Sequence, residues 1–215
     1  MIFALSSTSI LCLLAEFYGL CSMRLFTYAI FLPSLAALGA IGFADFLRGD
    51  RRAVRAILIG IVAGLLAAVS YDIFRLPFVF AKPWGISGFV PPMNLFKVFP
   101  RFGAMILGQP ADQPAYSPGT QLLGWAYHFS NGATFGVMFI AAVGGFRRNA
   151  WPWAVAMAVG LELGMLFTPY TRAFGIPLTF TFVWVTLTAH LIFGLTLGFS
   201  TPALADRLHP IPAAA

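Results

Sequence analysis

Long apolar runs, separated by short polar or proline-rich stretches, dominate the sequence. A helix needs about 20 apolar residues to cross a bilayer. Five segments meet or nearly meet this requirement, approximately residues 25–47, 56–80, 122–146, 151–169 and 178–199. Residues 2–21 are a weaker candidate for an extra span, because Glu16 interrupts the apolar run. The pattern predicts an all-α protein, a polytopic integral membrane helix bundle of five or six transmembrane helices forming a single membrane domain, 1–215.

The composition agrees with a lipid environment. Of the 215 residues, 60% are hydrophobic and only 9% are charged, which is too apolar for a soluble domain. The net charge of +6 comes from short cationic clusters between apolar runs, and such clusters indicate membrane topology rather than nucleic-acid binding. We therefore expect the lipid bilayer as partner and no nucleic acid. Other membrane subunits or a homo-oligomer remain open.

The arginine distribution predicts the orientation. Two loops of the same sidedness carry closely spaced arginines, namely Arg48, Arg51, Arg52 and Arg55 in one and Arg147 and Arg148 in the other. The positive-inside rule assigns both loops to the cytoplasm. We expect a multi-pass protein of the cell inner membrane with a cytoplasmic C-terminus, whose tail contains His209.

The longest connection, residues 81–121, is predicted to lie outside. Its prolines forbid one continuous helix. Its middle, MNLFKVFPRFGAMILG, mixes apolar residues with Lys97 and Arg101, which is typical of a short helix lying on the membrane surface. A connection of this length is a lid, a partner surface or a plain membrane-hugging connector.

Two helices share a repeated pattern. HFSNGATFG begins at His128 and HLIFGLTLG at His190, and each follows a helix with paired glycines, GIVAG from Gly60 and GLELG from Gly160. Glycines four residues apart favour close packing of membrane helices. The order GxxxG helix then HxxxGxxxG helix occurs twice, which predicts a 2+2 parallel internal repeat. The alternative is chance, because GxxxG is frequent in membrane proteins.

Ionisable residues within a span are costly and mark functional candidates. Asp72, His128 and Glu162 each fall about 10 to 12 Å below the predicted outer boundary, and His190 about 18 Å, at roughly 1.5 Å per residue. The four helices thus carry their polar groups in one layer of the outer half. The sequence predicts a shared polar centre.

The first interpretation of this centre is a metal site. Imidazole and carboxylate groups are the ligands expected for Zn, Fe or Mn, so His128, His190, Glu162 and Asp72 form a candidate transition-metal ligand set. Which metal or cofactor binds is left open.

Other interpretations use the same histidines. In a haem or other tetrapyrrole site both imidazoles would be axial ligands, with Gly132 and Gly194 one turn below each leaving room for the macrocycle. A proton relay is a further option, since His, Asp and Glu chains recur in transporters. In the structural alternative, each imidazole only hydrogen-bonds across helices.

Arg75 and its neighbours form a candidate anion site. Arg75 lies three residues after Asp72, a spacing at which helix side chains meet. Either the two form an ion pair with Arg75 reaching towards the headgroups, or Arg75 attracts an anionic headgroup or substrate. Asn131 and Tyr71 are candidates for the same substrate or anion site.

No motif indicates a reaction type. GxSxG, HExxH, Walker and dinucleotide-binding patterns are absent from the sequence. The leading hypothesis is a protein that binds a metal ion or cofactor, either as a small membrane enzyme or as a subunit of a redox or cofactor-handling complex. A proton-coupled transporter or channel-like protein is the first alternative, and a structural or accessory subunit is the second.

Overall fold

All regular secondary structure in the described part of the chain is helical. A computed structural model describes residues 1–208, except the side chain of Ala173, and no strand occurs among them. The α-helices are α1 (Ile2–Phe17), α2 (Met23–Phe26), α3 (Leu32–Arg48), α4 (Arg52–Val79), α5 (Val98–Leu107), α6 (Pro118–Val143), α7 (Trp151–Leu166), α8 (Tyr170–Ala173) and α9 (Phe180–Arg207). The all-α prediction is confirmed. The tail with His209 lies outside the described residues.

Fewer helices qualify as membrane spans than the sequence predicts. Within residues 1–208, three helical segments are long and apolar enough to cross a membrane: Met23–Arg48, Arg52–Val79 and Phe180–Arg207. Pro118–Val143 and Arg148–Leu166 qualify only together, with a bend of 110° between them, and count as a fourth span at most. α1 and α5 are apolar but shorter. Apolar helices of this length indicate a membrane protein of three or four candidate spans, and five or six spans are not confirmed.

Local sequence signals account for the helix ends near the polar centre. At the start of α6, Pro118 follows the N-cap Ser117, whose Oγ accepts the N–H of Thr120 at 3.2 Å. At the start of α9, Thr179 Oγ1 accepts the N–H of Phe182 at 3.2 Å. These caps satisfy N–H groups that would otherwise lack partners at the helix ends.

The α4 and α6 backbones are in direct contact. α6 also packs against α1 and α5, while α4 packs against α3 and α9, and α9 packs against α7. A Cβ on Gly64 would lie 2.0 Å from the carbonyl oxygen of Gly132, and a Cβ on Gly136 would lie 2.0 Å from that of Gly60. Only glycine fits at these positions, because any side chain would overlap the backbone of the opposite helix.

The GLELG sequence of α7 makes no close helix contact of this kind within residues 1–208. A Cβ on Gly160 or Gly164 would meet no described atom within 4 Å, so the close contact predicted from this motif is absent there. α9 instead approaches α7 at another level, where a Cβ on Gly194 would lie 2.6 Å from Cα of Val155 and one on Gly198 would lie 2.6 Å from Cα of Trp151.

The short helix expected in the α4–α6 connection is present as α5, and its position at a membrane surface stays a prediction. α5 packs against α6, and a Cβ on Gly103 would lie 1.9 Å from the Thr120 carbonyl oxygen, as would one on Gly124 from that of Phe99. Arg101 is buried with its apolar neighbours. The small residues on both helices allow this approach, so the apolar face of α5 covers protein rather than lipid.

Candidate functional site

A cavity of about 630 Å³ lies between the central helices and the α4–α6 connection. Ligand sites in proteins commonly have volumes of about 300 to 1,000 Å³. Its lining residues come from α1, α4, α5, α6, α7, α8 and α9 and from the connections that precede α5 and α9. Exposed lining residues, among them Asn94, Lys97 and Thr179, mark the end at which the cavity opens.

The first histidine–carboxylate pair joins α4 to α6. His128 Nε2 lies 2.8 Å from Asp72 Oδ2, and the side chains of both residues are buried. A carboxylate accepts, so Nε2 carries a proton and Nδ1 is the lone-pair nitrogen of the neutral ring. Arg75 Nη1 lies 3.4 Å from the other carboxylate oxygen of Asp72. The ring of Phe99 stacks on the imidazole with centroids 4.2 Å apart.

The second pair joins α7 to α9. His190 Nδ1 donates to the Thr186 carbonyl at 2.9 Å and lies 3.6 Å from Glu162 Oε2. In the neutral ring Nε2 therefore has the free lone pair. Glu162 is only 6% exposed, and it lines the cavity. Met165 holds the position that corresponds to Arg75, three residues after the carboxylate, so this pair has no cation at that point.

Tyr71 lies between the two pairs. Its ring centroid is 4.9 Å from that of His190 and 6.1 Å from that of His128. The guanidinium carbon of Arg75 is 4.7 Å from the same ring. Tyr71, His128 and His190 all line the cavity, whereas Asp72 lies behind His128. The fold therefore brings together the four residues of the predicted polar centre, as two pairs with an aromatic ring between them.

Arg75 is held in an aromatic cage rather than reaching the headgroups. It is 4% exposed, donates Nη2 to the Leu95 carbonyl, and lies 5.1 Å from the Phe96 ring. Its Nε, together with Oδ1 of Asn131, finds no hydrogen-bond partner among the described residues. Asn131 also lines the cavity. Buried polar atoms without partners are costly, and both of these atoms are shielded from the cavity by their neighbours.

Arg101 is the main site residue that sequence reasoning missed. Its Nη1 donates to the Phe174 carbonyl at 2.9 Å, its Nη2 pairs with Asp112, and its Nε has no partner within residues 1–208. It lines the cavity together with Lys97. The sequence contains a signal for the burial of α5, namely glycines at facing positions of α5 and α6. These glycines indicate a close contact only if the two helices are known to be neighbours.

Tyr170, the first residue of α8, lines the cavity. Its ring packs edge-on against Phe17 and Phe174 with centroids 5.1 Å and 5.2 Å away. This burial raises the pKa of the Tyr170 phenol well above its ordinary value of 10.0. The hydroxyl is therefore neutral at physiological pH.

The metal hypothesis receives no support from the donor geometry. Among residues 1–208, no three His, Cys, Asp or Glu side chains come together in an arrangement that could hold a metal ion. Asp72 is engaged with His128 and Arg75, whereas Glu162 lies beside His190. The four predicted ligands thus belong to two separate pairs.

The space that a tetrapyrrole would need beside the glycines is taken by neighbouring helices. A Cβ on Gly132 would lie 2.7 Å from Cβ of Ala68, and one on Gly194 would lie 2.6 Å from Cα of Val155. These glycines permit helix contact, so their role as macrocycle clearance is not supported.

Comparison of this chain with protein-family models, with curated proteins and with solved structures gives no match.

Proposed function

We propose that this chain is a proton-coupled carrier of the membrane, with the 630 Å³ cavity as its substrate site. One observation carries the proposal: two histidine–carboxylate pairs, from two different helix pairs, lie at one cavity with Tyr71 between them. Histidine and carboxylate groups within membranes commonly serve proton transfer. Histidine is suited to it because its charge changes in the physiological pH range.

The charges around the cavity explain how protons and a substrate would be coupled. Arg75, Lys97 and Arg101 are balanced by three carboxylates when both histidines are neutral, namely Asp72, Glu162 and Asp112. Protonation of one histidine then leaves one uncompensated positive charge at the cavity. A bound anion balances that charge, so each event favours the other by linkage.

We further propose that α4–α6 and α7–α9 are repeated units, in a register different from that of the GxxxG motifs. In α4 the carboxylate of Asp72 follows Gly64 by eight residues, and in α7 Glu162 follows Ala154 by eight. Gly64 meets the glycine four residues after His128, and Ala154 meets the glycine four residues after His190. Each unit would thus combine one close helix contact with one histidine–carboxylate pair.

The proposed orientation follows the arginine clusters. The loops with Arg51 and Arg147 would be cytoplasmic, the cavity would open to the outside, and the C-terminus would be cytoplasmic, in a cell inner membrane. Cysteine-accessibility labelling of Asp50→Cys and Lys82→Cys in intact cells tests this, because the two positions should react from opposite sides.

Uptake into proteoliposomes tests the carrier. With hexyl phosphate as the probe and a pH-sensitive dye trapped inside, we expect uptake and internal acidification to occur together, driven by an outside-acid gradient. Asp72→Asn and Glu162→Gln should each abolish acidification. Asp50→Asn is the matched control, because that carboxylate lies in an exposed loop and pairs with Arg52. Hexyl phosphate uptake that is independent of the gradient would reject proton coupling.

A cofactor-handling subunit is the second candidate, and one observation favours it. His190 presents a free lone pair, when neutral, to a cavity large enough for a small organic cofactor. An absorption spectrum and elemental analysis of the purified protein test this candidate. A stoichiometric chromophore or transition metal that is lost in His190→Ala would support it, whereas a colourless, metal-free and active protein would reject it.

A further inference from the structure

The cavity changes in character along its length. Cations line the end that opens, with Lys97 exposed and Arg101 buried beside it. Apolar side chains line it further inside, among them Leu13, Phe135 and Phe193 from three helices, and Glu162 and both histidines line it as well. A ligand that fills the whole volume would therefore contact cations at the opening and apolar side chains further inside.

The cationic end has unused binding capacity. Arg75 and Arg101 are 4% and 8% exposed, and Nε of each has no partner among residues 1–208. Asp112, the partner of Arg101, has a side chain that is 69% exposed, so solvent screens its charge. The Nε atoms themselves are shielded, so a ligand would meet the Nη groups, each of which carries two N–H groups and makes one described hydrogen bond. Guanidinium N–H groups are strong donors to carboxylate or phosphate oxygens.

Two residues of α4 give the scale of the cavity. Ala68 and Arg75 both line it and are seven residues apart, so their Cα atoms are separated by about 10 Å along the helix at roughly 1.5 Å per residue. The cavity volume of about 630 Å³ is large enough for one small organic molecule.

We infer that the ligand is an amphipathic organic anion, whose carboxylate or phosphate head binds Arg75, Arg101 and Lys97 and whose apolar part lies among the aromatic residues further inside the cavity. This names the substrate class of the proposed carrier. The transport of the anion rests on that proposal, whereas its binding does not.

Equilibrium binding to the purified full-length protein in detergent tests the inference without any variant. The probes are radiolabelled dodecyl phosphate, inorganic phosphate and dodecanol, which separate the head from the chain. We expect dodecyl phosphate to bind about tenfold more tightly than either, or more, because dodecanol lacks the charge-assisted hydrogen bonds and inorganic phosphate lacks the apolar contacts. Equal binding of dodecanol would overturn the anionic head, and equal binding of inorganic phosphate would overturn the apolar part.

Competition identifies the source of the ligand. Displacement of bound dodecyl phosphate by a single-chain lysophosphatidic acid would assign a membrane lipid, and displacement by hexyl phosphate alone would assign a water-soluble anion. Both outcomes support an amphipathic anion. Failure of both competitors to displace the probe would overturn the inference.

Substitution of the cations that line the cavity tests whether they bind the anionic head. Arg101→Gln should weaken dodecyl phosphate binding about tenfold, by loss of charge-assisted hydrogen bonds. Lys97→Gln is the second variant, because an exposed lysine can be replaced without disturbing the fold, and we expect about a threefold loss for a partly solvated charge. Arg172→Gln is the matched control, since Arg172 is exposed and does not line the cavity. Unchanged affinity in both Arg101→Gln and Lys97→Gln would overturn the assignment.

The two proposals fail differently. Tight dodecyl phosphate binding with no proton movement in proteoliposomes would reject the carrier and retain the anion site. Proton-coupled uptake of a neutral amphiphile, with no preference for anions, would reject the anion site and retain the carrier.

Discussion

Replacement of Gly64 by alanine should weaken the helix contact on which the first histidine–carboxylate pair depends. The added Cβ would lie 2.0 Å from the carbonyl oxygen of Gly132 and 2.8 Å from its carbonyl carbon. A backbone group cannot rotate away as a side chain can, so α4 and α6 must move apart. Gly160→Ala is the matched control in α7, because its Cβ would meet no described atom within 4 Å.

The expected magnitude follows from two opposing effects. Overpacking of a tight contact costs about 1 to 3 kcal/mol, while alanine is favoured over glycine within a helix by about 1 kcal/mol. A clash with backbone atoms should cost about 3 kcal/mol, the upper end of the range for overpacking. Gly64→Ala should therefore lose about 1 to 2 kcal/mol of net stability, and Gly160→Ala should lose none, since only the propensity gain applies to it.

Thermal unfolding in detergent, followed by intrinsic tryptophan fluorescence, measures the difference. For a chain of this size 1 kcal/mol corresponds to about 2 to 4 °C, so Gly64→Ala should lower the midpoint by about 2 to 8 °C. Gly160→Ala should leave it unchanged or raise it. Equal midpoints for the two variants would refute the conclusion that these two GxxxG sequences have different roles.

Three further predictions concern buried polar groups. Asp72→Asn leaves the buried Arg75 without its carboxylate partner and should lower the free energy of unfolding by about 3 to 5 kcal/mol. The double variant that also carries Arg75→Gln should recover part of this loss in the same unfolding assay. Burial raises the pKa of Tyr170 above 10.0, so the unfolded chain loses this proton first as the pH rises. The thermal unfolding midpoint should therefore decrease as the pH rises above about 10, and it should decrease less in Tyr170→Phe. Identical pH profiles of the two proteins would contradict this. Ser9 Oγ and Thr134 Oγ1 are 2.6 Å apart, and a double-mutant cycle with Ser9→Ala and Thr134→Val should give a coupling of about 1 kcal/mol, whereas zero coupling would exclude a stabilising bond.

The helices were largely predictable, but their use as membrane spans was not. Each predicted span has a helix at its position, because a backbone in lipid must satisfy its hydrogen bonds within the segment. The apolar run of 2–21 gives the 16-residue α1, and the run of 151–169 gives the 16-residue α7, both short for a bilayer of about 30 Å. Hydropathy reports which residues avoid water and does not report whether lipid or protein covers them.

The candidate site was predictable as a set of residues and not as a geometry. The high cost of ionisable groups in lipid was enough to single out Asp72, Glu162 and both histidines. Their division into two pairs follows from which helices are neighbours, α4 with α6 and α7 with α9. Arg101 escaped prediction because the α4–α6 connection shows no span-length apolar run, although its short helix is buried.

The sequence by itself determined a membrane-type helical chain and the few polar residues within it, because both follow from the free energy of transferring side chains to lipid, which each residue carries regardless of its neighbours. The tertiary structure alone decided that Gly64 makes a close helix contact and Gly160 does not, and that Arg101 lies at the cavity. These properties belong to pairs of helices, since a contact distance or a shared cavity exists only once two distant segments have been brought together.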